Sequence, residues 1–447
     1  MTTFISKPIR GLTGAAQVPG DKSISHRSLM LGAIAEGDTS ITGLLEGEDV
    51  LRTARALTAM GADITQPGNK SSVWRIKGIG EKSLGTPKEE LYLGNSGTSA
   101  RLLLGLAAGY PVDAVFTGDE SLSRRPMGRV IKPLTQMGAR FEAHAGDRLP
   151  IRLIGSSSLK SIHYRLPVAS AQLKSAILLA GLHADGITTV VEPQPTRDHT
   201  ERMLTFMGAH ISSAMQEDGS CIITLEGRPR LAGRNITVPA DPSSAAFLVV
   251  AALITQDSGI VIPNVLINPR RTGLYDTLQE MGADITFENR SSNGGEETAD
   301  IRVKSSSLKG VTVPKERVPS MIDEFPILAI AAAMAEGKTV MTDLAELRVK
   351  ESDRLDAIAK GLAAGGIKAE MGEDSLTVYG GSGKAPRGGC TVATGLDHRI
   401  AMSFLVLGLA AQEPVAIDDA ETIATSFPDF AALMNRLGAR MGPSVML

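Results

Sequence analysis

The sequence predicts an α/β protein of two domains, each made of three β-α-β-α-β-β repeats with pseudo-threefold symmetry. Two recurring signatures and a mismatch between the chain ends carry that prediction. The first signature is a helix end stopped by glycine. It reads "LTAMGAD" at Asp63, "LTQMGAR" at Arg140, "LTFMGAH" at His210, "LQEMGAD" at Asp284, "LAAGGIK" at Lys368 and "MNRLGAR" at Arg440. In each, glycine ends an amphipathic helix and a strand follows. A period of roughly 70 to 85 residues is too long for a solenoid repeat.

The second signature is a polar junction running into an Ala/Leu-rich helix, followed by a short Thr/Val strand. Its copies are "DKSISHRSLMLGAIA", "NSGTSARLLLGLAAG", "SAQLKSAILLAG", "DPSSAAFLVVAALI", "DEFPILAIAAAMA" and "DHRIAMSFLVLGLAA". These helices are apolar around their whole circumference, which predicts burial inside a domain. The mismatch lies at the ends. Other copies finish on a strand such as "HYRLPVAS" or "ITVPADPSS", the sixth has none, and "LTGAAQVPG" near the start is unassigned. The N-terminal strand therefore completes the sixth repeat. The expected domains are 21–239, continuous, and 1–20 plus 240–447, discontinuous, with crossings near Gly20 and Ala240 and the active site in the cleft between them.

Composition narrows the function classes. The chain has 447 residues, 43% of them apolar, and a net charge of -3. Its cations form no run, so the footprint of a nucleic-acid or acidic-membrane partner is missing. No window stays apolar for the roughly 18 residues a membrane helix needs, and no signal-peptide pattern opens the chain, so a cytoplasmic protein is expected. Cys221 and Cys390 stand apart without a C-x-x-C, which argues against a disulfide framework or a zinc site.

The polar residues of the buried helices collect at their N-termini, where free N–H groups and the helix dipole attract anions. These starts hold Lys22, Ser23 and Arg27; Asn95, Gly97, Thr98 and Arg101; Ser170, Gln172 and Lys174; Asp241, Ser243 and Ser244; Asp323 and Glu324; Asp397, His398 and Arg399. A serine or aspartate cap with a solvated cation explains any one of them, but not six in register. "SLSRRPMGR" and "PTRDHTER" add Arg124, Arg125 and Arg197 at second-helix starts. "RVKESDRLDAIAK" places Lys350 and Arg354 on one helical face at i,i+4, with Glu351 beside them.

The set "PGDKSISHR", "GNSGTSARL", "RRPMGR", "DEFPILA", "KESDR", "DHRIAM" and "TSFPDF", in this order from end to end, resembles the 5-enolpyruvylshikimate-3-phosphate (EPSP) synthase family of enolpyruvyl transferases. "LLEGEDV" and "IATSFPDF" resemble its class II. The resemblance implies transfer of the enolpyruvyl group of phosphoenolpyruvate to the 5-hydroxyl of shikimate 3-phosphate, by a monomer using neither metal nor organic cofactor. It implies Lys22, Ser23, Arg27, Ser170, Gln172, Arg197, Asp323 and Lys350 as ligands of shikimate 3-phosphate. Lys22, Gly97, Arg125, Arg354 and Arg399 would hold phosphoenolpyruvate, with Asn95 and Thr98 shaping the loop. Two phosphates and two carboxylates suit forked arginines and backbone donors. Asp323 and Glu351 are the expected proton-transfer carboxylates with Lys22 sharing either duty, although Asp323 also reads as a plain helix cap.

Three departures from the family pattern stand out. Ala171 replaces a serine that many relatives carry in the substrate-phosphate pocket, Thr425 stands where class I members have a lysine, and Arg124 is a second candidate beside Arg125. Glyphosate is the expected competitor for phosphoenolpyruvate, because tolerant class II members can carry alanine where this sequence has Gly97. An enolpyruvyl transferase acting on UDP-N-acetylglucosamine and a non-catalytic anion-binding protein are the alternatives; no G-x-x-x-x-G-K-[ST] marks a P-loop enzyme.

Overall fold

Six glycines, Gly61, Gly138, Gly208, Gly282, Gly366 and Gly438, adopt φ between +78° and +114° in the computed structural model, which describes residues 2–66, 68, 72–381 and 384–444. They are the glycines of the first repeated signature. A left-handed backbone lets the chain leave a helix and turn back, and glycine takes it without a Cβ clash. The recurrence of Met-Gly-Ala is therefore the recurrence of one helix stop.

The described strands form six small sheets. In five of them an edge strand supplied by another repeat runs parallel to its neighbour. Asn235–Thr237 lies beside Asp38–Thr42, Leu91–Tyr92 beside Asp113–Thr117, and His163–Arg165 beside Ile187–Glu192. Thr13–Ala15 lies beside Gly259–Leu266, and Cys390–Val392 beside Val415–Ile417. The sixth sheet has three strands, in the order Lys338–Met341, Leu376–Tyr379, Ala369–Met371. The N-terminus gives two strands where the sequence marked one. Thr13–Ala15, inside "LTGAAQVPG", is the finishing strand, and Phe4–Ser6 is inserted antiparallel between Val415–Ile417 and Met441–Pro443.

Two compact units result. Unit 1 comprises Met1–Pro19, Pro239–Ser291 and Glu297–Leu447; unit 2 comprises Gly20–Val238 and Ser292–Glu296. Nothing in the repeat pattern marks the short Ser292–Glu296 exchange. Each unit buries three of the Ala/Leu-rich helices. Those of unit 2 are Lys22–Ile34, Gly97–Ala108 and Ala171–Gly181; those of unit 1 are Pro242–Ile254, Phe325–Met334 and His398–Ala410. Because they are apolar all round, only their ends can reach solvent or a ligand. Close packing is enforced at Gly105, where a Cβ would strike the backbone of Ala176 on the facing helix. No helix among the described residues is long and apolar enough to cross a membrane.

Candidate functional site

Five of the six buried helices are capped by their own junction side chain. Asp21, Ser96, Ser170, Asp241 and Asp397 accept from the N–H groups of Ile24, Ser99, Leu173, Ser243 and Arg399. The exception is Phe325–Met334, whose N-cap, Glu324, makes no such bond. Asp323 precedes that N-cap position by one residue. Its Oδ1 lies 3.0 Å from Arg354 Nη1 and 3.4 Å from Lys350 Nζ.

Around that carboxylate unit 1 assembles most of its candidate residues. Arg354 is 1% exposed and spends its fork on three partners: Nη1 on Asp323, Nη2 on Glu351 in a very short contact, and Nε on Asp397 Oδ2 at 2.8 Å. Burial alone would lower the guanidinium pKa, but the Asp397, Glu351 and Asp323 charges outweigh it and hold the pKa above its ordinary value. Arg399 Nη1 donates to the Asp323 carbonyl at 2.9 Å and to Glu324 Oε1 at 3.1 Å.

The i,i+4 placement of Lys350 and Arg354 does not survive. Asp353 accepts from the Asp356 N–H and starts a helix at Arg354, whereas Lys350 closes a preceding 3-10 turn with ψ of -149°. Lys350 and Arg354 meet at Asp323 through chain reversal instead of a shared helical face.

Unit 2 contributes a second cluster. The Lys22 ammonium is paired in a very short contact with Asp49, at the first turn of the Glu48–Ala59 helix. Arg27, 4% exposed, donates to Thr200 Oγ1 and Ser175 Oγ at 2.7 Å each and to the Ser23 carbonyl at 2.9 Å. Asn95 donates to Asp119 at 2.9 Å and accepts from Arg125 in a very short contact. Gln172 bridges two helix starts: its amide nitrogen donates to Thr98 Oγ1 at 3.0 Å and its oxygen accepts from Arg101 at 2.9 Å. Ser170 caps its helix and Ala171 is the first helical residue. Arg197 is half-buried just before the His199–Phe206 helix.

Sequence reasoning passed over Asp49 and the two carboxylates around Lys174. Asp49 sits inside the quoted "LLEGEDV", and a lone aspartate opening a helix carries no signal of a lysine partner 27 residues away. Lys174, fully buried, is held between Glu192 at 3.1 Å and Glu201 at 2.7 Å; burial opposes its charge, yet the two carboxylates raise its pKa. The only described group of His, Cys, Asp and Glu with metal-ligand spacing is Asp198, His199 and Glu296. Arg202 already supplies a cation there, 2.9 Å from Asp198 and 3.7 Å from Glu296.

Comparison with known proteins shows the family. Residues 6–434 match the family described as EPSP synthase (3-phosphoshikimate 1-carboxyvinyltransferase). A 3-phosphoshikimate 1-carboxyvinyltransferase of Chelativorans sp. (strain BNC1) is 57% identical over 437 residues, covering 98% of this chain and 97% of the relative. One from Pseudomonas sp. (strain PG2982) is 57% identical over 435 residues, covering 97% and 96%. Among solved structures, EPSP synthase from Acinetobacter baumannii superposes with a TM-score of 0.85 at 48% identity, over 99% of this chain and 100% of that one. The enolpyruvyl transferase NikO from Streptomyces tendae, at 18% identity and a TM-score of 0.77 over 99% and 98% of the chains, shares the fold.

Proposed function

Because the chain belongs to the EPSP synthase family and transfers the enolpyruvyl group of phosphoenolpyruvate to the 5-hydroxyl of shikimate 3-phosphate with release of phosphate, we propose that the two clusters divide this chemistry between the units. Lys22, Ser23, Arg27, Ser170, Gln172 and Arg197 of unit 2, with Asp323 and Lys350 of unit 1, hold shikimate 3-phosphate. Ala171 lines the same pocket without a hydroxyl. Lys22, Gly97 and Arg125, with Arg354 and Arg399 of unit 1, hold phosphoenolpyruvate. Asn95 and Thr98 shape the loop.

The reaction needs a base near the 5-hydroxyl and an acid near C3 of phosphoenolpyruvate. The hydroxyl oxygen bonds to C2 as its proton leaves, and C3 gains a proton to become a methyl. The tetrahedral intermediate then loses a methyl proton as the C2–O bond to phosphate breaks. Asp323 and Glu351 perform these transfers between them, with Lys22 able to share either duty. One observation carries this reading: a single buried guanidinium, Arg354, holds both carboxylates.

The same reading describes a cytoplasmic monomer, with glyphosate competing for phosphoenolpyruvate. The deciding assay is phosphate release from the two substrates. Glu351→Gln keeps the shape and loses the acid, so kcat should fall by about 10²-fold or more with little change in either KM. Lys22→Ala should instead raise both KM values. An unaltered kcat for Glu351→Gln removes that residue from the mechanism.

A further inference from the structure

A chain of side chains runs beneath the unit 2 cluster. The Asp49 carbonyl, one residue's backbone below the carboxylate that pairs with Lys22, accepts from Ser99 Oγ at 3.3 Å and Thr53 Oγ1 at 3.5 Å. Ser99 Oγ lies 2.7 Å from Thr53 Oγ1 and 2.6 Å from Ser96 Oγ, and Ser96 in turn caps the Ser99 N–H at 3.1 Å. Thr53 Oγ1 is 2.8 Å from His26 Nδ1. Ser96, Ser99, Thr53 and His26 are all 0% exposed.

We infer that this Ser96–Ser99–Thr53–His26 relay is a positioning device that fixes the Asn95–Gly97 turn against Asp49, and so against the Lys22 ammonium. The four residues come from the junction or body of three helices, Lys22–Ile34, Glu48–Ala59 and Gly97–Ala108. Each of these helices presents a group at the cluster: Lys22 from the first, Asp49 from the second, and the Asn95–Gly97 turn from the third. Helices of Ala and Leu slide over one another at small cost, because dispersion is not directional. Hydrogen bonds with donor and acceptor both buried are directional, and a buried hydroxyl left without its partner is costly.

The tautomer of His26 sets the direction in which the chain runs. Burial, reinforced by the Lys22 and Arg27 charges and only partly opposed by Asp21, holds the His26 imidazole well below its ordinary pKa, so the ring is neutral and has one N–H. With that hydrogen on Nδ1, His26 donates to Thr53, Thr53 to Ser99, and Ser99 to Ser96 or the Asp49 carbonyl. Removing the middle hydroxyl interrupts the alignment of all three helix starts. Ser96, Ser99, Thr53 and His26 touch no substrate in this reading; they act through Lys22 and the turn.

The inference rests on assigning Lys22 and the Asn95–Gly97 turn to phosphoenolpyruvate, and the test separates the two ideas. Steady-state kinetics with both substrates are measured for wild type, Thr53→Val, Thr53→Ser, Ser99→Ala, the Thr53→Val/Ser99→Ala double variant and Lys22→Ala. Thr53→Val should raise KM for phosphoenolpyruvate about tenfold, because both Lys22 and the turn shift, and KM for shikimate 3-phosphate by a smaller factor, because only Lys22 does, with kcat within about twofold, as expected when a uniform binding contribution is lost. Thr53→Ser restores the hydroxyl and should return KM to near wild type. Because both changes cut one chain, the double variant should be no worse than the single ones. If Lys22→Ala raises KM for phosphoenolpyruvate while Thr53→Val and Ser99→Ala leave it unchanged, the relay idea fails alone. If Lys22→Ala also leaves it unchanged, the assignment of the site fails and takes the relay with it. Should Thr53→Val not fold, Ser99→Ala, which removes a hydroxyl without putting a methyl in its place, decides the matter by the same readout.

Discussion

Arg124 and Arg125 share a peptide bond and point to opposite environments. The Arg124 side chain is 76% exposed and pairs with Glu120 one helical turn back, whereas Arg125 is 6% exposed and donates to Asn95 and to Ser121. The short helix Glu120–Arg124 ends between them, and Arg125, as its C-cap, takes an extended backbone that swings its side chain inward.

The pair therefore makes an internal control. Arg125→Ala should raise KM for phosphoenolpyruvate by roughly 10- to 100-fold, the range expected for losing about 1.5–3 kcal/mol of hydrogen bonding to a charged group. Arg124→Ala should change no kinetic constant by more than about twofold, since exposed pairs contribute little. Equal effects of the two substitutions, measured by phosphate release, would show that the inward arginine is not the binding one.

Gly97 governs space beside that arginine. A Cβ built there lies 2.7 Å from Arg101 Nη1 and 2.9 Å from Arg125 Nη1, both of them the far ends of flexible side chains. Gly97→Ala should be tolerated by a small shift of the two guanidinium groups, with KM for phosphoenolpyruvate rising modestly. The longer glyphosate molecule loses more room, so its inhibition constant should rise about tenfold or more, a difference of roughly 1.4 kcal/mol. Inhibition of the wild type, competitive with phosphoenolpyruvate, is the companion expectation. A wild type insensitive at millimolar glyphosate, or a variant with an unchanged constant, would show that Gly97 does not set this space.

Two buried histidines predict an acid limit to stability. Burial, with Lys22 and Arg27 adding to it, lowers the pKa of His26 well below the ordinary range, and burial with Arg228 brings His183 down to about 4. The unfolded chain accepts these protons first, at the ordinary histidine value of about 6.5. Their contribution is therefore complete above that pH and is lost as pH falls below it, at up to about 1.4 kcal/mol per pH unit for each histidine. Urea midpoints measured from pH 7.5 down to pH 5 should fall, and a His26→Gln variant should fall less steeply. Parallel slopes for the two proteins would mean that His26 does not supply the effect.

The sequence by itself determined the repeat. The six glycine stops, the all-apolar helices and the Ser/Asp junctions are local requirements, met by a left-handed glycine, complete burial and an N-cap, so each leaves its mark within a few residues. The finishing strand in "LTGAAQVPG" was legible for the same reason, since one copy lacked what the others had. Tertiary structure decided where charged groups find their partners. Asp323 reads as a cap in the sequence, yet it faces Lys350 and Arg354, which lie beyond a helix, a strand and a 3-10 turn. Lys22 finds Asp49 across the two helices of the first repeat, and the Thr53 hydroxyl finds Ser99 across the boundary between the first and second repeats. An ion pair or buried hydroxyl gains its energy from the few ångströms between two atoms, and that separation depends on how the helices pack rather than on residue type or spacing along the chain.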